Sequence, residues 1–194
     1  MTAARFDGDR ALDLVIVDAN PVDSQQRPRI RILRGEGEGK FSRIQGVPDI
    51  ILEAGETPVA IVTGQFKLVD ERRPSDLVIA SKTASGGTLK LFLNDGSGRL
   101  SASLIKRLSF EPRQVASSNK FRDGGIYDVI VSDRHGFLFL ENSGAPEFVR
   151  RQHFNGPPED DESLVQLIVG NVNEDDFDDI IIIDQHCHRE RRQA

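Results

Sequence analysis

Four times along the chain an aspartate opens a short aliphatic run: Asp13 before Leu14-Val15-Ile16-Val17, Asp76 before Leu77-Val78-Ile79-Ala80, Asp128 before Val129-Ile130-Val131-Ser132, and Asp179 before Ile180-Ile181-Ile182-Ile183. The aspartates stand 63, 52 and 51 positions apart. A run without polar alternation suits a strand buried on both faces, and its recurrence marks a repeat protein. Upstream of each aspartate lies an apolar anchor, Phe6, Phe66, Phe121 or Val172, and three of these close strand-like runs over 59–66, 115–121 and 165–172. Downstream, a third strand leads into a Gly-rich turn at Gly35-Glu36-Gly37-Glu38-Gly39, Asn94-Asp95-Gly96-Ser97-Gly98 and Asn142-Ser143-Gly144. Gly, Asn and Asp there supply the positive φ angles of tight hairpins. A fourth strand follows from Phe41, Leu100 and Phe148.

Four antiparallel strands per unit of about 50 residues is the make-up of a propeller blade. The competing arrangement is a β-sandwich, but a sandwich has no reason to repeat the order anchor, loop, aspartate, strand, turn. The expectation is therefore all-β, a β-propeller of four-stranded antiparallel blades over residues 1–55, 56–111, 112–162 and 163–185, with 186–194 a polar tail. No helix is expected, since no stretch free of Gly and Pro holds apolar residues at 3.6 spacing. Polar insertions fall at 20–28 and 155–162, where loops belong. The strands number three in the first unit, whose leading strand is missing, then four, four and two, or 13 in all. Such a set does not close a ring neatly, so the expected form is an incomplete arc of about 3–4 blades, whose exposed edges self-associate or pair with missing blades.

With 38% hydrophobic residues, 6% aromatic ones and no Trp, the core has to be aliphatic. The net charge of −6 argues against a general nucleic-acid partner, which requires a basic surface. No apolar run approaches the roughly 18 residues of a membrane helix, and Asp7, Asp9 and Asp13 interrupt the start too early for a signal peptide. Cys187 is the only cysteine, so no intrachain disulfide forms.

The loops ahead of the aliphatic runs carry the chemistry. Asn171-Val172-Asn173-Glu174-Asp175-Asp176-Phe177-Asp178-Asp179 is rich in oxygens at alternate positions, an arrangement that suits either a Ca²⁺ loop or a solvated acidic turn. Arg5-Phe6-Asp7-Gly8-Asp9-Arg10-Ala11-Leu12-Asp13 repeats it in decayed form. Together with Gly170 and the turns Gly39-Lys40-Phe41 and 94–98, these loops resemble the FG-GAP or VCBS repeats, the calcium-loop propellers that include the head of integrin α chains. The resemblance covers roughly residues 4 to 185. It implies a secreted or cell-surface binding or adhesion module for a protein or glycan ligand, and the repeat without a catalytic constellation makes a non-enzymatic role the expectation. Some related propellers are polysaccharide lyases, so the alternative is part of a carbohydrate-active enzyme whose catalytic residues lie outside this chain.

The family pattern assigns the last loop's ligands as Asn171, Asn173, Asp175, the carbonyl of Phe177, and Asp179, with Asp176 where Gly is usual. Only Asp175 and Asp179 bring charge, so the expected Ca²⁺ affinity is weak, on the order of 10⁻⁴ to 10⁻³ M, and the role structural. The other loops place Arg5, Gln65 and Lys120 at the first ligand position, where a cation repels the metal. They are expected to be turns in which the terminal Asp accepts from loop amides, with Arg5 or Lys120 replacing the ion's charge. His186-Cys187-His188 could join a Zn²⁺ site only with further ligands, which are not evident. His135, His153 and Tyr127 form no catalytic set. Arg29, Arg31 and Arg34 make either a basic stripe for an acidic glycan or, by default, a solvated strand face.

Overall fold

A strand that is apolar on both faces needs a packed layer on each side, and the four aliphatic runs obtain theirs from one another. The computed structural model describes residues 1–18, 27–67, 74–121, 125–144, 148–155 and 163–185. Every regular element among them is a strand. The first sheet holds β1 (Thr2–Ala4), β2 (Asp13–Asp18), β3 (Arg29–Gly37), β4 (Lys40–Arg43) and β5 (Ile50–Ile51). The second holds β6 (Thr57–Gly64), β7 (Asp76–Thr83), β8 (Gly86–Asn94) and β9 (Leu100–Leu108). The third holds β10 (Gln114–Ser118), β11 (Asp128–Ser132), β12 (Gly136–Asn142) and β13 (Phe148–Asn155), and the fourth β14 (Ser163–Gly170) and β15 (Asp179–Gln185). All pairings are antiparallel, and order in space follows order in sequence, except that β5 shares the outer edge of β3 with β4.

The described residues carry 15 strands, not 13. The first unit does have a leading strand, since Thr2-Ala3-Ala4 pairs with Val15-Leu14-Asp13. Three residues without large side chains leave no pattern to read; backbone pairing alone defines the strand. The insertion at 19–26, the middle of the second loop at 68–73, residues 122–124 of the third, the linker 156–162 and the tail 186–194, with His186, Cys187 and His188, lie outside the described residues.

Alternate residues of each aliphatic run serve two different cores. Val15, Ile30 and Ile32 of the first sheet meet Leu77, Ile79 and Phe92 of the second. Val78, Ala80, Leu89 and Leu91 on the other face of the second sheet meet Val129, Val131, Leu138 and Leu140 of the third. Ile130 and Phe137 on the far side of the third meet Leu167 of the fourth. The four sheets thus pack in series, unlike the two layers of a sandwich. Their first strands, β1, β6, β10 and β14, lie side by side. Gly64 ends β6 where the Tyr127 ring of the next sheet arrives; a Cβ there would stand 2.5 Å from the ring. The anchor Phe66 completes that contact, edge-on to Tyr127 at 5.9 Å and to Phe148 at 6.0 Å.

Candidate cation-binding loops

Each repeat aspartate is a backbone clasp. Asp13 Oδ2 accepts from the anchor amide of Phe6 at 2.6 Å and its Oδ1 from Gly35 N at 3.0 Å. Asp76 does the same with Phe66 N at 3.0 Å and Asn94 N at 2.8 Å, and Asp128 takes Asn142 N at 2.8 Å. Asp179 Oδ2 takes Val172 N at 3.0 Å. Asp13 and Asp128 are fully buried and Asp76 is 3% exposed, burial that a carboxylate tolerates only when amides satisfy it. In the first two sheets the clasp binds the anchor after the first strand and the end of the third strand to the start of the second.

A second set of bonds joins neighbouring sheets, and it too repeats. The residue before each aspartate donates its N–H to the carbonyl before the previous sheet's anchor: Ser75 to Arg5 at 2.6 Å, Tyr127 to Gln65 at 3.2 Å, Asp178 to Lys120 at 3.0 Å. The side chain of Asn94 donates to Phe6 O at 2.8 Å, and Asn142 to Phe66 O at 2.8 Å. The first unit has Gly35 at that place.

Inside the loops, side chains at ligand positions three and five cap amides two residues on. Asp7 accepts from Asp9 N at 3.1 Å and Asp9 from Ala11 N at 2.8 Å; Asn173 accepts from Asp175 N at 3.0 Å and Asp175 from Phe177 N at 2.7 Å. The left-handed residue of the loop is position four. Gly8 has φ +81° there, and Glu174 takes the same conformation at +64°. Asp176, at the position where the family pattern has Gly, has no positive φ. Position six in this loop therefore does not call for Gly.

In the first loop the oxygens of Asp7, Asp9 and Asp13 converge within 4.8 Å, a grouping that can hold a metal ion. Arg34 already serves it. Reaching over from β3, its Nε lies 3.0 Å from Asp7 Oδ2 and its Nη2 3.0 Å from Asp9 Oδ2. Hydrogen bonds from Arg34 first, and from the Ala11 amide next, hold the Asp9 carboxyl below its usual 3.8, while Asp9 raises Arg34. The internal cation of this loop is thus Arg34; Arg5 and Lys120, expected in that role, are exposed. Of the stripe Arg29, Arg31 and Arg34, two arginines are engaged: Arg34 by Asp7 and Asp9, and Arg31 by Asp49 at 3.2 Å, which Arg43 of β4 also binds at 3.1 Å. Burial pushes Asp49 up, but the two guanidiniums outweigh it and keep its carboxyl low.

The last loop gathers Asn171, Asn173, Asp175, Phe177 and Asp179 in one exposed turn. No arginine reaches it among the described residues. Asn173 instead turns its Nδ2 to Asp175 Oδ2 at 2.9 Å, and Asn171 its Nδ2 to the carbonyl of Asp175. Donor hydrogens thus sit among the acidic oxygens where the first loop has a guanidinium. Both Oδ1 atoms already accept backbone amides, Asn171 from Glu174 N at 2.7 Å and Asn173 from Asp175 N at 3.0 Å, so turning either amide toward a cation gives up that bond.

One further charged group escaped sequence reasoning. Lys90 lies in an aliphatic strand between Leu89 and Leu91, buried, with its Nζ 2.9 Å from the buried Glu56 carboxylate and 3.4 Å from exposed Glu53. Thr88 Oγ1 also donates to Glu56, at 3.1 Å. The group borders a cleft of about 470 Å³ reached by Ser85 and Arg107. Thr88 engages one oxygen of Glu56, and Lys90 and the Glu53 amide the other, so that the cluster fastens the 53–56 linker over β8. The signal was a single Lys in a buried run, which demands a carboxylate. His135 lies exposed in a turn whose amides, His135 N and Gly136 N, are capped by Asp133.

No protein-family model matches the chain, and none of the curated proteins does. Among the described residues, no helix is long and apolar enough to cross a membrane.

Proposed function

We propose that this chain is a non-enzymatic binding module built on an arc of β-propeller blades of the FG-GAP type, with one structural Ca²⁺ held by the loop of the fourth sheet. The supporting observation is the join between sheets. Three successive joins use the same backbone donor and acceptor positions, and two of them the same Asn clasp, which is how blades stack about a common axis. In this reading Asp175 and Asp179 supply the charge for the ion, with Asn171 Oδ1, Asn173 Oδ1 and the Phe177 carbonyl completing its protein ligands. The ion would do for this loop what Arg34 does for the first, relieving repulsion among carboxylates and fixing the turn. Loops so fixed present a rigid rim to a protein or glycan.

The test is thermal melting with and without Ca²⁺. With a dissociation constant of 10⁻⁴ to 10⁻³ M, about 10 mM Ca²⁺ stabilises by roughly 1.4 to 2.7 kcal/mol, a rise in Tm of roughly 3 to 10 °C. Asp175→Ala should abolish the rise. Equal shifts in both proteins would remove the ion from this loop. Turnover of a polysaccharide by the purified chain would overturn the non-enzymatic reading.

A further inference from the structure

Thr88 and Lys90 project from one face of β8, and the residues opposite them on β9, Arg107 and Ile105, project from the same face. With the 53–56 linker and the turn after β7, these side chains enclose the cleft of about 470 Å³. That volume lies within the range of small-ligand sites. Lys90, its side chain 6% exposed, brings a buried ammonium to the cleft, and Glu56 beside it at 2.9 Å is as deeply buried, so these two charges cancel. The second partner of Lys90 is held differently. Glu53 is 73% exposed and its Oε1 stands 3.4 Å from Nζ, longer than the roughly 2.7 to 2.9 Å of a good charge-assisted bond. A carboxylate thus reaches the buried ammonium from the solvent side and is bound there loosely. Arg107 lines the same cleft, and nothing pairs with its guanidinium among the described residues. Ile105, 53% exposed, and Leu108 give the cleft an apolar wall.

We propose that this cleft binds a small organic carboxylate with a short aliphatic body. The ligand's carboxylate takes the place of Glu53 beside the Lys90 ammonium and accepts from the Arg107 fork, while its hydrocarbon lies against Ile105. Charge decides the class of ligand. With Glu53 turned out to water, Lys90, Arg107 and Glu56 leave one positive charge, which a monoanion neutralises and a cation would double. Geometry favours a carboxylate in particular, because a guanidinium offers paired N–H groups that match its two oxygens. The cleft adjoins the turn where β7 ends, whereas the cation-binding loop of this sheet precedes Asp76 where β7 begins. The site therefore lies at the opposite ends of the strands from the loops and stands without the Ca²⁺ reading.

The test follows backbone amide shifts of the isotope-labelled 194-residue chain during titration with sodium butyrate. Butyramide, which keeps the shape without the charge, and sodium sulfate at matched ionic strength serve as controls. Butyrate should give saturating shifts over 53–56, 83–88 and 105–108 in the millimolar range, with or without Ca²⁺, and neither control should. Arg107→Gln, on an exposed position of the outer strand β9, should weaken binding at least about fivefold. Glu53→Gln removes the competing carboxylate and should tighten binding about two- to fivefold, a gain that a damaged fold cannot produce. Shifts that do not saturate, equal shifts with butyramide or sulfate, or unchanged binding by Arg107→Gln would each overturn the proposal. Weaker binding by Glu53→Gln would overturn it too, since Glu53 would then hold the ligand rather than yield to it.

Discussion

Asn94 bears the join between the first two sheets, and replacing it measures what such a join contributes. The residue is 1% exposed and makes four side-chain bonds. Its Nδ2 donates to Phe6 O at 2.8 Å and Ser75 O at 3.0 Å, and its Oδ1 accepts from Gly96 N at 2.9 Å and Gly98 N at 3.3 Å. At about 1 kcal/mol net per bond, Asn94→Ala should lower the unfolding free energy by about 3 to 4 kcal/mol, since the Phe6 carbonyl has no route to water. Asn94→Asp keeps the shape but aims an anion at two carbonyl oxygens, and should cost about 2 kcal/mol more at pH 7. The introduced carboxyl has its folded pKa raised, because only its protonated form can donate. The extra loss is therefore absent below the unfolded value of about 3.9 and grows as pH rises through the folded one. Urea unfolding followed by far-ultraviolet circular dichroism suits a chain without Trp. A loss under about 1 kcal/mol for Asn94→Ala, or equal losses for both variants at pH 7, would refute the cross-sheet bond.

Glu174→Gly should stabilise the chain by about 0.5 to 1 kcal/mol in urea unfolding, because a left-handed non-glycine costs about 1 to 2 kcal/mol and glycine returns part of that in entropy. Removing the guanidinium with Arg34→Gln leaves Asp7, Asp9 and Asp13 without a cation, so the first loop should acquire a Ca²⁺-dependent rise in Tm that persists when Asp175 is also replaced. In the wild type the Asp9 contribution is present above the usual carboxyl value of 3.8 and is lost as pH falls through the lower folded value; acid titration with added salt should show it small and screened. Lys90→Ala strands the Glu56 carboxylate in the interior and should cost about 3 to 5 kcal/mol, while Lys90→Met with Glu56→Leu should come close to the wild type in the same assay.

The strands that were legible in the sequence are those with side chains enough to carry a pattern. Asp76-Leu77-Val78-Ile79-Ala80 announces an interior strand, and the Gly-rich turns at 35–39 and 94–98 lie where the hairpins run. Thr2–Ala4 and Ile50–Ile51 were not legible, because two or three residues hold a strand through backbone pairing that no side-chain period records. The clasping role of the terminal aspartates was readable, since a carboxylate ahead of a buried strand needs amide donors. What balances the first loop was not: Arg34 is 21 residues beyond Asp13, and only the pairing of β2 with β3 brings it over Asp7 and Asp9. The left-handed site at Glu174 was hidden by its residue type, and only its match to Gly8 reveals it.

Serial packing also dictates how this fold comes apart. Each interior sheet leans on two neighbours and each end sheet on one, so opening can begin at a terminus and travel inward like a zip. Leu167 is the only buried hydrophobic residue of the fourth sheet among the described residues, which leaves that sheet the least supported, whereas Val78, Ile79, Val129 and Ile130 are sealed from both sides. Amide protons along β7 and β11 should exchange through nearly global unfolding and those of β14 through local release, so that protection runs as a gradient along the series.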